Sequence, residues 1–135
     1  MRWEQYSELK TTTSPRDKKK DVVLEDWTFY SERLGCNVTV EKGFEFDWDS
    51  VPRLPIVYLL FKGRAKEEAC AHDWLYVHGR ACGKPIERKT ADLVMHDAMV
   101  VKQRKKRYKV PIYLGVRIGG WRGWNKYRRE EILDG

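Results

Sequence analysis

Hydrophobic and polar positions follow a period of two in the first half of the chain and a helical period in the second. Trp27-Thr28-Phe29-Tyr30 and Asn37-Val38-Thr39-Val40 are rich in β-branched and aromatic residues, and Gly35 lies in the short break between them. That composition predicts a β-hairpin. Gly43 supplies the next turn, after which Phe44, Phe46 and Trp48 alternate as on a half-buried strand until Pro52 and Pro55 bar regular structure. The apolar run Ile56-Val57-Tyr58-Leu59-Leu60-Phe61 suits a strand or a buried helical turn. A helix is predicted over residues 64–78, with Ala65, Ala69, His72 and Tyr76 on one face, and Gly79 with the following Arg80-Ala81-Cys82-Gly83-Lys84-Pro85 ends it. A second helix is predicted over about residues 87–102, its apolar side made of Ala91, Val94, Met95, Ala98, Met99 and Val101, with Asp92 beside it. Helices joined by a short loop pack antiparallel, and this brings Asp92 towards His72. Pro111 marks a break, a third helix restarts over residues 112–118, and it terminates around residues 119–124.

The predicted class is therefore α+β: an N-terminal β-hairpin or small antiparallel sheet packed with two antiparallel helices and a third, C-terminal helix. The chain of 135 residues is read as one globular domain over residues 21–125. Before it, Thr11-Thr12-Thr13-Ser14-Pro15 and the charge run Arg16-Asp17-Lys18-Lys19-Lys20 read as part of a flexible arm or loosely attached strand over residues 1–20. After it, residues 126–135 read as a polar tail, frayed at the end. Charged residues at 35% against 41% hydrophobic predict a thin core under a solvated surface. No run approaches the roughly 18 apolar residues of a membrane span, and the first residues do not read as a signal peptide.

Three cysteines, Cys36, Cys70 and Cys82, are an odd number at spacings that suit neither a disulfide framework nor a zinc site, and they are read as reduced thiols. The net charge of +7 favours nucleic acid, an anionic membrane or an acidic protein as partner. In the basic run over residues 102–109, Lys105, Lys106 and Arg107 are the candidate contacts for nucleic acid or another anionic partner. The alternative is a solvated helix C-terminus, where cations meet the dipole favourably. No recognised nucleic-acid motif is present, and that partner is not favoured.

The candidate chemistry lies in Glu68-Ala69-Cys70-Ala71-His72-Asp73-Trp74-Leu75-Tyr76. An imidazole or carboxylate on a buried face must be fully hydrogen-bonded or carry chemistry, because burial without partners costs a few kcal/mol or more. Gly43-Phe44 with Asp47 and Ser50-Val51-Pro52-Arg53, then His72-Asp73-Trp74-Leu75-Tyr76, then Ala91-Asp92, resemble the signature of a domain family of bacteriophage and prophage genomes that has no assigned activity. The Val116-Arg117 and Gly120-Trp121 pattern near the end also fits, and the resemblance spans about residues 27–124. It implies a phage or prophage origin and supplies no function. With no apolar span or signal peptide read in the sequence, synthesis in the host cytoplasm is expected, and other virion proteins are the candidate partners.

The histidine, aspartate and tyrosine on one helix with an aspartate on the next are also similar to the phospholipase A₂ superfamily. This second similarity implies His72 as general base for a water, Asp92 as its orienting partner and Tyr76 as a hydrogen-bond brace for Asp92. It further implies Asp73 and Asp47 as ligands of a calcium ion, and hydrolysis of an ester or other envelope-derived bond. The chain departs from that pattern where Glu68-Ala69 replaces a cysteine pair, and in lacking the glycine-rich calcium loop. Against the hydrolase stands a non-enzymatic virion structural or assembly protein in which the same residues lock two helices together. Taken alone, Asp73 reads as an ordinary exposed acid, and Asp47 and Ser50 read as turn formers. A hydrolase requires His72 and Asp92 within hydrogen-bond distance and the other imidazole nitrogen facing an open cleft, whereas a sealed histidine speaks for the structural role.

Overall fold

A computed structural model of the chain describes residues 1–18, 20–46, 66–102 and 106–134. The strands are β1 (Trp3–Gln5), β2 (Thr11–Thr13), β3 (Asp21–Val23), β4 (Trp27–Ser31), β5 (Cys36–Val40), β6 (Glu45–Phe46), β7 (Arg80–Ala81) and β8 (Lys84–Pro85). The helices among the described residues are α1 (Lys66–His78), α2 (Arg88–Val101), α3 (Lys106–Gly119) and α4 (Trp121–Asp134). The strands form antiparallel sheets in the orders β1-β4-β5, β2-β3-β6 and β7-β8, so the fold is mixed α+β as expected.

The hairpin β4–β5 follows from its alternation. Trp27, Phe29 and Ser31 turn inward from β4, opposite Val38 and Val40 of β5, while Gly35 takes the positive φ of 78° that the connection requires. Within the stretch expected as a flexible arm or loosely attached strand, Trp3–Gln5 form β1. The Trp3 ring stacks on Phe29 at 5.7 Å between centroids and lies 6.2 Å from Trp27, and Leu9 is buried with them. Burying one such side chain contributes about 1.5–3 kcal/mol, enough to hold β1 in register on β4. Arg33 ties the turn after β4 to α2 through two bonds to Asp97, at 2.8 and 3.1 Å.

The helix α1 is central, packed against α2, α4 and β6. Residues 68–73 are all buried, so it has no solvated face over that stretch and Asp73 is not the exposed acid its position alone suggested. Two helical expectations are corrected at the C-terminal end. Pro111 lies inside α3 rather than before it, so the helix forgoes the bond Pro111 would have donated to the Arg107 carbonyl but still buries Ile112 and Val116. Residues 126–134 are not a frayed tail. They belong to α4, whose Arg128 donates to the carbonyls of Tyr76 and Val77 at 2.8 and 2.7 Å and so satisfies the C-terminal end of α1.

The cysteine reading is also corrected: Cys36 and Cys82 form a disulfide, with Cα atoms 5.9 Å apart across 46 residues of sequence, and Cys70 alone is a buried free thiol. Cys82 and Gly83 both take positive φ in the two-residue turn between β7 and β8, and that hairpin carries Cys82 to the edge of β5. Reducing the bridge, or replacing Cys36 with Ser, is expected to lower stability by about 2–4 kcal/mol, chiefly by freeing the unfolded chain. Urea denaturation with and without reductant measures it, and thiol counting on the unreduced, unfolded protein should find one reactive cysteine.

Candidate active site

The site is built around Asp92, which α2 places against α1 and α3. His72 Nε2 lies 2.7 Å from Asp92 Oδ1, and the Tyr76 hydroxyl donates to the same oxygen at 2.6 Å. On the other oxygen, Oδ2, Arg117 Nη1 of α3 donates at 2.7 Å and Arg88 Nη1 stands at 3.6 Å. His72 and Tyr76 reach one carboxylate because they are four residues apart on one face of α1, and their rings lie 4.2 Å apart. Arg88 also donates to the carbonyls of Val116 and Arg117, so the last turn of α3 is fixed to the first turn of α2 beside the carboxylate.

The electrostatics follow from these contacts. Burial pushes the Asp92 carboxyl upward, but the bonds from His72, Tyr76 and Arg117 outweigh it and hold the carboxyl below its ordinary value. An ionised carboxylate only accepts, so His72 donates its Nε2–H to Asp92 Oδ1. Burial, and then the bond to Asp92, raise the Tyr76 hydroxyl well above its ordinary value, so it stays a donor. A Cβ on Gly120 would overlap the Tyr76 hydroxyl and the Val116 carbonyl, so the glycine between α3 and α4 is what lets that hydroxyl reach Asp92. Trp124 closes the other side, edge-on to the Tyr76 ring at 5.4 Å.

Of the residues singled out in the sequence, the structure brings together His72, Asp92 and Tyr76. The open cleft expected of a hydrolase is not what it presents at this ring, because His72 is 1% exposed and Asp92 fully buried. Asp73 is buried on α1, and Asp47 lies outside the described residues. Among the described residues no group of three His, Cys, Asp or Glu side chains is placed to hold a metal ion, so the calcium site implied for Asp73 finds no further ligands there. Lys105 also lies outside the described residues. Lys106 and Arg107 fall in the first turn of α3, not at the C-terminus of the preceding helix, which ends at Val101. Arg88 was not singled out, and Arg117 and Gly120 entered only through the family resemblance, with no role assigned. An arginine four residues before Asp92 and the Gly119-Gly120 pair were the signals that could have found two of them.

Residues 22–116 match the family described as Protein of unknown function (DUF1353). No curated protein and no solved structure matches the chain.

Asp92 titrates lower in the folded protein than in the unfolded chain. Its contribution to stability is therefore complete above the ordinary aspartate range and is lost as pH falls through the lower folded value. Asp92→Asn leaves Arg117 and Arg88 facing an uncharged group, and is expected to cost about 3–5 kcal/mol at neutral pH. Denaturation at a series of pH values should show wild type and variant converging in acid, and a constant difference would contradict the assignment.

Proposed function

The chain belongs to the DUF1353 family, described as being of unknown function, and we propose from its side-chain geometry that it is a phage-encoded virion structural or assembly protein in which Asp92 is the structural tie between three helices. The observation that carries this reading is the burial of the cluster: His72 is 1% exposed and Asp92 fully buried, with His72 Nε2 and the Tyr76 hydroxyl on one carboxylate oxygen at 2.7 and 2.6 Å. Tyr76 and Arg117 bond the same carboxylate from α1 and α3, which fixes the register of those helices on α2.

A second reading is favoured by the identity of those partners, which are the ones the similarity to the phospholipase A₂ superfamily assigns to His72, Asp92 and Tyr76: a hydrolase of ester bonds in envelope-derived substrates, with His72 as general base for a water. That reading requires His72 to be uncovered when substrate binds. The two readings part at the hydrolysis of phospholipid vesicles and of a generic aryl ester, with and without added calcium. No hydrolysis, or equal rates for wild type and a His72→Asn variant that keeps its helical signal, is the expected result, and a fall of about 10²–10⁴-fold in the variant would overturn the assembly reading in favour of the hydrolase.

A further inference from the structure

The chain's charge of +7 is not spread evenly. Residues 98–129 contain eleven Lys and Arg and no Asp or Glu, so the rest of the chain sums to −4. The exposed apolar side chains lie in the same region. Of the eleven large hydrophobic side chains exposed among the described residues, eight come after residue 99. On α3 they form a row: Val110, Leu114 and Ile118, at successive steps of four, point out of the protein, while Ile112 and Val116 are buried on the inner side. Ile118 is 76% exposed, and Trp121, at the start of α4, extends the row with the Arg122 guanidinium 5.3 Å over its ring.

We infer that this face of α3 and the start of α4 docks on an anionic lipid bilayer, with Val110, Leu114, Ile118 and Trp121 entering the interface and the adjacent Lys109 and Arg122 meeting lipid phosphates. A helix with an apolar row set in a wholly basic stretch is the pattern of an interfacial helix. Among the described residues no helix is long and apolar enough to cross a membrane, and the 14 residues of α3 span only about 21 Å, so the helix lies on the surface. The placement of the charge supports an external anion. Lys106, Arg107 and Lys109 open α3, where the helix dipole disfavours cations, so the helix itself gives no reason for them.

Two other occupants fit less well. A nucleic acid would engage the cations and could stack on Trp121, but it gives branched aliphatic side chains nothing to pack against. A second copy docking through the same face would set a segment with eleven Lys and Arg and no Asp or Glu against itself, and like charges across an interface cost several kcal/mol. The inference does not rest on the hydrolytic reading, because binding is measured without turnover.

The test is co-sedimentation of the full chain with vesicles of equal parts phosphatidylglycerol and phosphatidylcholine, against vesicles of phosphatidylcholine alone. Wild type is expected to bind the anionic vesicles at least tenfold more tightly. The double variant Leu114→Glu, Ile118→Glu changes exposed side chains, so it should keep its thermal midpoint while its vesicle affinity drops at least tenfold. Equal binding to both vesicle types would overturn the inference. So would a double variant that still binds, or a single-stranded oligonucleotide that binds the double variant and wild type alike and displaces the vesicles.

Discussion

The Asp92 carboxylate is the constraint on which the helical half of the molecule depends. It is fully buried and ionised, a state that costs several kcal/mol unless strong donors surround it. The donors come from three helices: His72 and Tyr76 of α1, Arg88 of α2 itself and Arg117 of α3. Sliding any one helix by a turn would move its donors about 5.4 Å and leave a buried charge facing a mismatched partner. Apolar packing tolerates many registers among helices of this kind, whereas this carboxylate tolerates one.

The fourth helix is coupled to the same centre one layer further out. Tyr76 gives its hydroxyl to Asp92 and its backbone carbonyl to Arg128, so α4 holds the end of the helix that carries the site. Gly120 and Trp124 bound the Tyr76 ring from the α3–α4 junction. A ring with its polar end bonded and its flanks packed has little freedom to rotate, and this is what a brace on a general base requires. A structural tie requires it equally, and the burial of His72 is what divides the two functional readings.

Local pattern carried a good part of this architecture. The β4–β5 hairpin was legible because alternation at Trp27, Phe29, Val38 and Val40 is a two-residue signal that needs no knowledge of the rest of the fold. His72 and Asp92 were legible as a pair because each lies on the inward side of its own helix and the short connection sets the helices side by side. What was not legible depended on elements distant in sequence. Asp73 looks exposed on a helix with one buried face, and it is buried because packing by α4 and β6 leaves α1 no solvated side there. Cys36 and Cys82 look unrelated at a separation of 46, until the β7–β8 hairpin that follows α1 returns the chain to β5. Pro111 was given too much weight: one missing backbone bond is a smaller term than burying Ile112 and Val116. Arg117 was hidden because a charged residue on a helix reads as solvated, and only the fold turns it towards a carboxylate.

The helix α3 joins the two halves of the functional argument. Within five residues it presents Leu114 and Ile118 outward, Val116 to the core and Arg117 to Asp92. These residues rise only about 1.5 Å each along one axis, so the helix cannot settle on a surface through its outer row without fixing where Arg117 stands. Arg88 reinforces this by clamping the last turn of α3 through the carbonyls of Val116 and Arg117. A lipid surface that orders α3 thus acts on the Asp92 carboxylate through a single rigid element, with no loop in between to absorb the motion. In the hydrolytic reading, that is a direct physical route from bilayer contact to the position of the group that orients His72.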